Sequence, residues 1–218
     1  MFFVLTICSY GQEQEQNKNY FPIWTFHQKN INIHGISVGL ASTNAFASNI
    51  IEKNTNTNGI KLELIGWGIL VPMIPYEPDK ATFGNQRSER INGINLSASG
   101  TLCDCLTNGI VAGFIGQLIY QANGISFTML VNYTHIQNGI MASSINVSHA
   151  MNGLQFGLFG NHSSEVNGLQ IALIRNNSEK TNGLQIGIYN ESKNLKGIQI
   201  GIWNVNQKRK LPLLNWNF

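Results

Sequence analysis

The sequence predicts an all-β chain. The leading architecture is an antiparallel, transmembrane-type β-barrel of roughly 12–14 short strands, and the alternative is a β-solenoid with coils of ~15 residues. Three observations carry this. First, Asn182–Asn190 reads Asn-Gly-Leu-Gln-Ile-Gly-Ile-Tyr-Asn and recurs at Lys196–Asn204, with looser copies at Asn152–Asn161 and Asn167–Asn176. Within the unit, Leu184, Ile186 and Ile188 alternate with Gln185, Gly187 and Tyr189, the period of two expected of a half-buried strand. Second, the leading glycines Gly93, Gly109, Gly124, Gly139, Gly153, Gly168, Gly183 and Gly197 are spaced 16, 15, 15, 14, 15, 15 and 14 residues apart. A short fixed period marks a repeat architecture. Third, charged residues make up 11% of the chain, against about 25% in ordinary soluble domains. From Cys105 to Ser164 there is no Asp, Glu, Lys or Arg. Beyond the first residues no apolar run approaches the ~18 of a membrane-spanning helix.

Met1–Gly11 is short, apolar and ends in Ser-x-Gly. It resembles the last half of a secretory signal without its basic start, and the alternative is a first buried strand. A lipoprotein role for Cys8 is weakened by Ile7, which stands where a small residue is expected. Residues 12–218 then form a single repeat domain. Phe21–Phe26 is an aromatic run suited to a first strand or an interface anchor. Gly35–Ala41 is the first recognisable copy, with Ile36, Val38 and Leu40 on one face. Asn54–Asn58 reads as a linker and Gly59–Leu70 as a longer strand. There Ile60, Leu62 and Leu64 oppose Lys61 and Glu63, whose charges suit a lumen or solvent. Residues 72–91, with Pro72, Pro75 and Pro78, read as an excursion loop, because proline cannot donate to a strand ladder. This is the place on the chain to look for an interaction.

From Gly93 onward each Asn-Gly reads as a turn. The charged linkers, holding Glu165, Glu179, Lys180, Glu191, Lys193 and Lys196, connect neutral strands. The chain closes on the basic run Gln207–Lys210 and on Leu214, Trp216 and Phe218, which alternate with Asn215 and Asn217.

The Gly-[Leu/Ile]-Gln-[Ile/Phe]-[Gly/Ala]-[Leu/Ile]-x-Asn units at Gly153, Gly168, Gly183 and Gly197 resemble the GLQIGLxN-type surface-repeat proteins of Gram-negative bacteria. The terminal Leu214-x-Trp216-x-Phe218 resembles the last strand of outer-membrane β-barrels. The resemblance implies export, residence in the outer membrane or at the cell surface, and contact with outer-membrane lipid. It also implies recognition of Leu214, Trp216 and Phe218 by the barrel-assembly machinery. It implies no catalytic residue.

In a barrel, the apolar positions would meet lipid, Gln155, Gln170, Gln185 and Gln199 would line a polar interior, and Gly157, Ala172, Gly187 and Gly201 would leave room there. Tyr133, Trp203 and Trp216 would form an interfacial girdle. A charge on the lipid face would cost ~2–4 kcal/mol at mid-depth, which accounts for the neutral strands. Against the barrel, eight residues at ~3.3 Å each and ~40° tilt span only ~20 Å of a ~25 Å band. In a solenoid, each unit would be one coil, with the apolar faces stacked inward and the repeated Asn residues forming ladders. Against it, a coil needs two or more inward strands, and linkers such as Ser192–Lys196 offer little apolar content.

No catalytic, cofactor-binding or metal site is predicted. His135, His149 and His162 lie 14 and 13 residues apart and read as solvated turn residues, although a solenoid would bring them near one column. Cys103 and Cys105 lack the further ligands of a zinc site and read as plain strand residues that seldom bond to each other. Glu63 and Glu52 are a pair that sequence cannot place. With only Asp79 and Asp104 as aspartates and no Gly-x-Ser-x-Gly elbow, a hydrolase is not indicated. Neither is a phosphate loop, since the Asn-Gly units lack the following Lys-Ser/Thr. A net charge of +3 does not point to nucleic acid. The expectation is a non-catalytic exported protein with a structural, pore-like or adhesion-scaffold role. Its alternative is a soluble surface β-solenoid acting as a binding module.

Overall fold

A computed structural model describes residues 17–25, 30–42, 54–74 and 89–218. The candidate leader with Cys8, the residues Phe26, Glu52 and Asp79, and most of the 72–91 segment lie outside the described residues. The strands are β1 (Lys18–Tyr20), β2 (Ile23–Trp24), β3 (Ile31–Gly39), β4 (Thr55–Glu63), β5 (Glu89–Ser97), β6 (Leu102–Gly113), β7 (Gly116–Thr128), β8 (Val131–Ala172), β9 (Arg175–Ile186), β10 (Tyr189–Val205) and β11 (Lys210–Asn217). From β3 to β10 each pairs with the next in parallel. The chain is therefore a parallel β-solenoid, and the antiparallel barrel is not formed.

The register supplies the physical reason. Parallel stacking at one repeat per coil sets like over like: Asn167 pairs with Asn182, Gly168 with Gly183, Gln170 with Gln185 and Ile171 with Ile186. An antiparallel neighbour would reverse that order and oppose unlike residues. Among the described strands only β11 runs antiparallel, against β10. Leu214 and Trp216 thus lie on a strand that covers the last coil instead of closing a barrel wall.

Two sequence readings change with the topology. The charged linkers are strand: Arg175–Ile186 runs unbroken through Glu179 and Lys180, and Thr55–Glu63 absorbs the expected Asn54–Asn58 linker. Asn-Gly is no hairpin turn. Gly183 sits inside β9 at φ 147°, and a Cβ there would come within 1.9 Å of the Gly168 carbonyl oxygen one coil back. Glycine is needed twice over, for the backbone conformation and for the close approach of coils. The same stack links Gly35 and Gly59 through to Gly197.

The interior is polar and closed. Gln155, Gln170, Gln185 and Gln199 are fully buried and form a single ladder. Gln170 Nε2 donates to Gln155 Oε1 at 2.7 Å, Gln185 to Gln170 at 2.7 Å and Gln199 to Gln185 at 2.8 Å. A second ladder runs Asn146, Asn161, Asn176, Asn190 and Asn204, each link 2.8 Å. Every Nδ2 in it also reaches a backbone carbonyl, as Asn176 does at Ile186 O. Gly187 and Gly201 leave room for this ladder instead of a lumen: a Cβ on Gly201 would stand 2.6 Å from Asn190 Nδ2. Buried polar groups are stable when satisfied, and stacked amides satisfy one another coil by coil. Toward the N-terminal side the core becomes apolar, with Ile91, Cys103, Cys105, Val111, Ile119 and Ala122 in one cluster. Met141, Met151 and Val166 form another.

The expected strand Gly59–Leu70 ends early. Gly68–Met73 forms a 3₁₀ turn with Pro72 inside it, ahead of the segment read as a loop, while Glu89 and Arg90 already belong to β5. Val71 packs with Leu102, Val131, Tyr133 and Val147, and Ile74 lies against them. Tyr133, expected in an exposed girdle, is 1% exposed because this turn covers it. Gly68 and Gly116 allow the approach: a Cβ on Gly68 would meet the Gly116 oxygen at 2.1 Å.

Candidate functional site

Alternation separates two faces of each strand, and the apolar one turns outward, as expected of the barrel and not of the solenoid. Leu184 and Ile186 are half-buried on the outer surface and Ile188 is exposed, while Gln185 points in. Parallel register then aligns these side chains into columns. Ile36, Ile60, Ile94, Ile110 and Ile125 stack in sequence, and Leu169, Leu184 and Ile198 continue the same position. A second column runs Phe127, Ala142, Phe156, Ile171, Ile186 and Ile200, and a third runs Met129, Ser144, Leu158, Leu173, Ile188 and Ile202, so both dip at the coil of Ala142 and Ser144. The exposure is substantial: Leu173 is 61% and Ile202 65% accessible. Along one border a part-exposed ladder of Asn58, Asn92, Asn108, Asn123, Asn138, Asn152 and Asn167 runs with links of 2.7 to 2.9 Å. The columns themselves carry no charge.

Around the coil, the surface changes character. Glu179 and Lys180 are both exposed, a corner where two successive side chains turn out. Ions pair there between coils. Arg175 meets Glu191 at 2.7 Å and lies 5.2 Å from the Tyr189 ring centre, Lys180 meets Glu165 at 3.5 Å, and Lys193 pairs with Glu179. The hydrogen bond from Lys193 to Glu179, together with their attraction, raises the Lys193 pKa. Exposed pairs of this kind contribute little stability. They keep this side wetted and neutral.

The charges of β4 do not face a lumen or solvent. Lys61 and Glu63 turn inward and are 3% and 2% exposed. Lys61 Nζ lies 3.0 Å from Glu63 and 2.5 Å from Glu89. Thr101 donates to Glu63 at 3.0 Å and Ser42 donates to its other oxygen. Burial acts to lower the Lys61 pKa, but Glu89 and Glu63 overcome it and hold the ammonium well above its ordinary value. The partner of Glu63 is therefore Lys61. This closed ion cluster replaces the amide ladder in the early coils.

The histidines separate. His135 and His149 stack at 4.7 Å between ring centres, with Tyr120 5.2 Å from His135. His162 lies in register with Asn177. Among the described residues no three of His, Cys, Asp and Glu gather to hold a metal ion. Cys103 and Cys105, read as unbonded, form a disulfide. The β6–β7 register shifts between Cys103 and Leu106, so the regular geometry that argued against a bond does not hold there. Trp216 is 43% exposed and holds Arg209 4.5 Å from its ring centre. The membership of the apolar face was legible residue by residue from alternation; its outward facing in a solenoid and the stacking of its columns were not, because both depend on what fills the coil and on parallel register. Set beside known proteins, the chain matches no family model, no curated protein and no solved structure.

Proposed function

We propose that this chain is an exported, non-catalytic β-solenoid of the outer membrane or cell surface, serving as a binding module that docks through its uncharged apolar face. One observation carries the reading. Aliphatic and aromatic side chains are stacked outward over most coils, while in the C-terminal coils the interior between them is filled by the buried amides of the Gln155 to Gln199 and Asn146 to Asn204 ladders. Burying Leu and Ile inside would have been the simpler way to stabilise a repeat, since each buried aliphatic side chain contributes ~1.5–3 kcal/mol. Placing them outside leaves them for a partner. Contiguous exposed apolar patches beyond ~300–600 Å² mark interaction surfaces. The buried titratable groups on the other side of the wall, Glu63 and Glu89, both pair with Lys61, which suits a structural role.

The test compares the full chain with a Leu173→Glu/Ile188→Glu variant in a Gram-negative host. Both positions are exposed, so the fold is expected to persist. The wild-type chain should be open to protease on intact cells and should migrate in native extracts as an assembly larger than one chain. The variant should migrate as a single chain. Identical single-chain migration of the two would remove the face as a working surface.

A further inference from the structure

We infer that the occupant of the apolar face is a second copy of this chain, seated face to face. The inference rests on the docking reading above and deepens it. The argument begins with area. The stack from Gly35 to Gly197 contains ten glycine positions, hence nine steps of ~4.8 Å, or about 43 Å of length. From Leu184 to Ile188 and the following corner the face is about 16 Å wide at ~3.3 Å per residue. The product, about 700 Å², is close to the ~800 Å² that each partner contributes to a standard interface.

Shape and charge favour the same occupant. Stacked Ile and Leu columns form ridges along the solenoid axis, and the furrows between them have the same spacing. The face is therefore complementary to itself, and two sheets packed this way sit ~10 Å apart. A two-fold contact uses the same patch on both copies and closes upon itself. The Asn138, Asn152 and Asn167 ladder at the border supplies a neutral polar rim. A bilayer would call for a different surround. Peripheral membrane faces combine apolar side chains with flanking cations that meet anionic headgroups. Here Lys180, Lys193 and Arg175 are occupied by Glu165, Glu179 and Glu191, and along the Asn border the last coil brings a single cation, Lys196, in register with Asn182.

The test is the mass of the purified full chain in buffer without detergent, by light scattering across a dilution series. Near twice 24.2 kDa is expected. Leu169→Glu with Ile186→Glu should raise the dissociation constant by about 100-fold or more, since each introduced charge would be buried unpaired. Far-UV circular dichroism checks that the variant keeps its strands. Glu179→Gln with Lys193→Gln, around the corner, should leave the mass doubled. A wild-type chain that stays single at every concentration overturns the inference without any variant. If that single chain floats with phosphatidylcholine vesicles, docking through the face survives with lipid as its occupant. If it binds neither itself nor vesicles, both readings fall. A doubled mass unmoved by charges on the face also overturns the inference, because the contact then lies elsewhere.

Discussion

Replacing Gln185 by methionine tests whether amides hold the core. Met is close to Gln in volume and length, so it fills the same space. The substitution removes the 2.7 Å donation to Gln170 and the 2.8 Å bond accepted from Gln199. At ~1 kcal/mol net per bond that is about 2 kcal/mol. Gln170 Oε1 loses its donor within the ladder, and an orphaned buried acceptor costs a further ~1–3 kcal/mol. Gln199 is spared, because its Nε2 still reaches Val205 O at 3.0 Å. Burying an apolar side chain returns ~1 kcal/mol. The balance is a loss of about 2–4 kcal/mol. At ~2–4 °C per kcal/mol for a chain of this size, the midpoint of a far-UV circular dichroism melt should fall by about 4–16 °C. Converting Gln155, Gln170, Gln185 and Gln199 together should cost far less than four times as much, since no amide is then left facing a partner that cannot answer. A single Gln185→Met that is neutral or stabilising would refute the reasoning.

Gly168→Ala should cost about 3 kcal/mol or more, since φ is 140° and the new Cβ would stand 2.1 Å from the Gly153 oxygen; chemical denaturation of the folded fraction measures it. Lys61→Met should cost ~3–5 kcal/mol by leaving two buried carboxylates unpaired, read from the same melts. Because the Lys61 pKa is raised on folding, its contribution is complete below the unfolded value of ~10.4 and is lost as pH climbs through the folded one. The gap between wild type and Lys61→Met should therefore narrow only above that point, and narrowing toward neutral pH would contradict it. Removing residues 207–218 should bare the β10 edge and cause chain-on-chain association, visible as rising light scattering; an unchanged monodisperse sample would argue against a protective role for β11.

Alternation made the two faces of each strand legible. A period of two does not say which face is inward: the barrel reading turns the apolar face out and the solenoid reading turns it in, and the solenoid forms with that face outward. It puts Gln185 on one face and Leu184, Ile186 and Ile188 on the other, whichever way the neighbouring strand runs. Direction was illegible for that same reason, and the barrel expectation came from assuming that outward grease meets oil. The solenoid was discounted because Ser192–Lys196 looked too polar to face a core. Yet Ser192 and Leu195 are the inward residues there, and Ser178 and Thr181 hold the same places one coil earlier. Their spacing is three, not two, because the corner at Lys193 takes an extra outward residue, and this hid the second strand. A readable signal did exist. Asn161, Asn176, Asn190 and Asn204 recur at one position as faithfully as the glycines, which a lipid-facing wall does not require and a laddered core does.

The stacking of each coil on the one before sets a length quantum. From Gly153 to Gly197, where each coil stacks on the one before, a duplicated or deleted coil keeps the ladders in register while lengthening or shortening the molecule by ~4.8 Å. Gene-level slippage in such a repeat would tune reach in fixed increments, and avidity would scale with coil number without any new residue being invented.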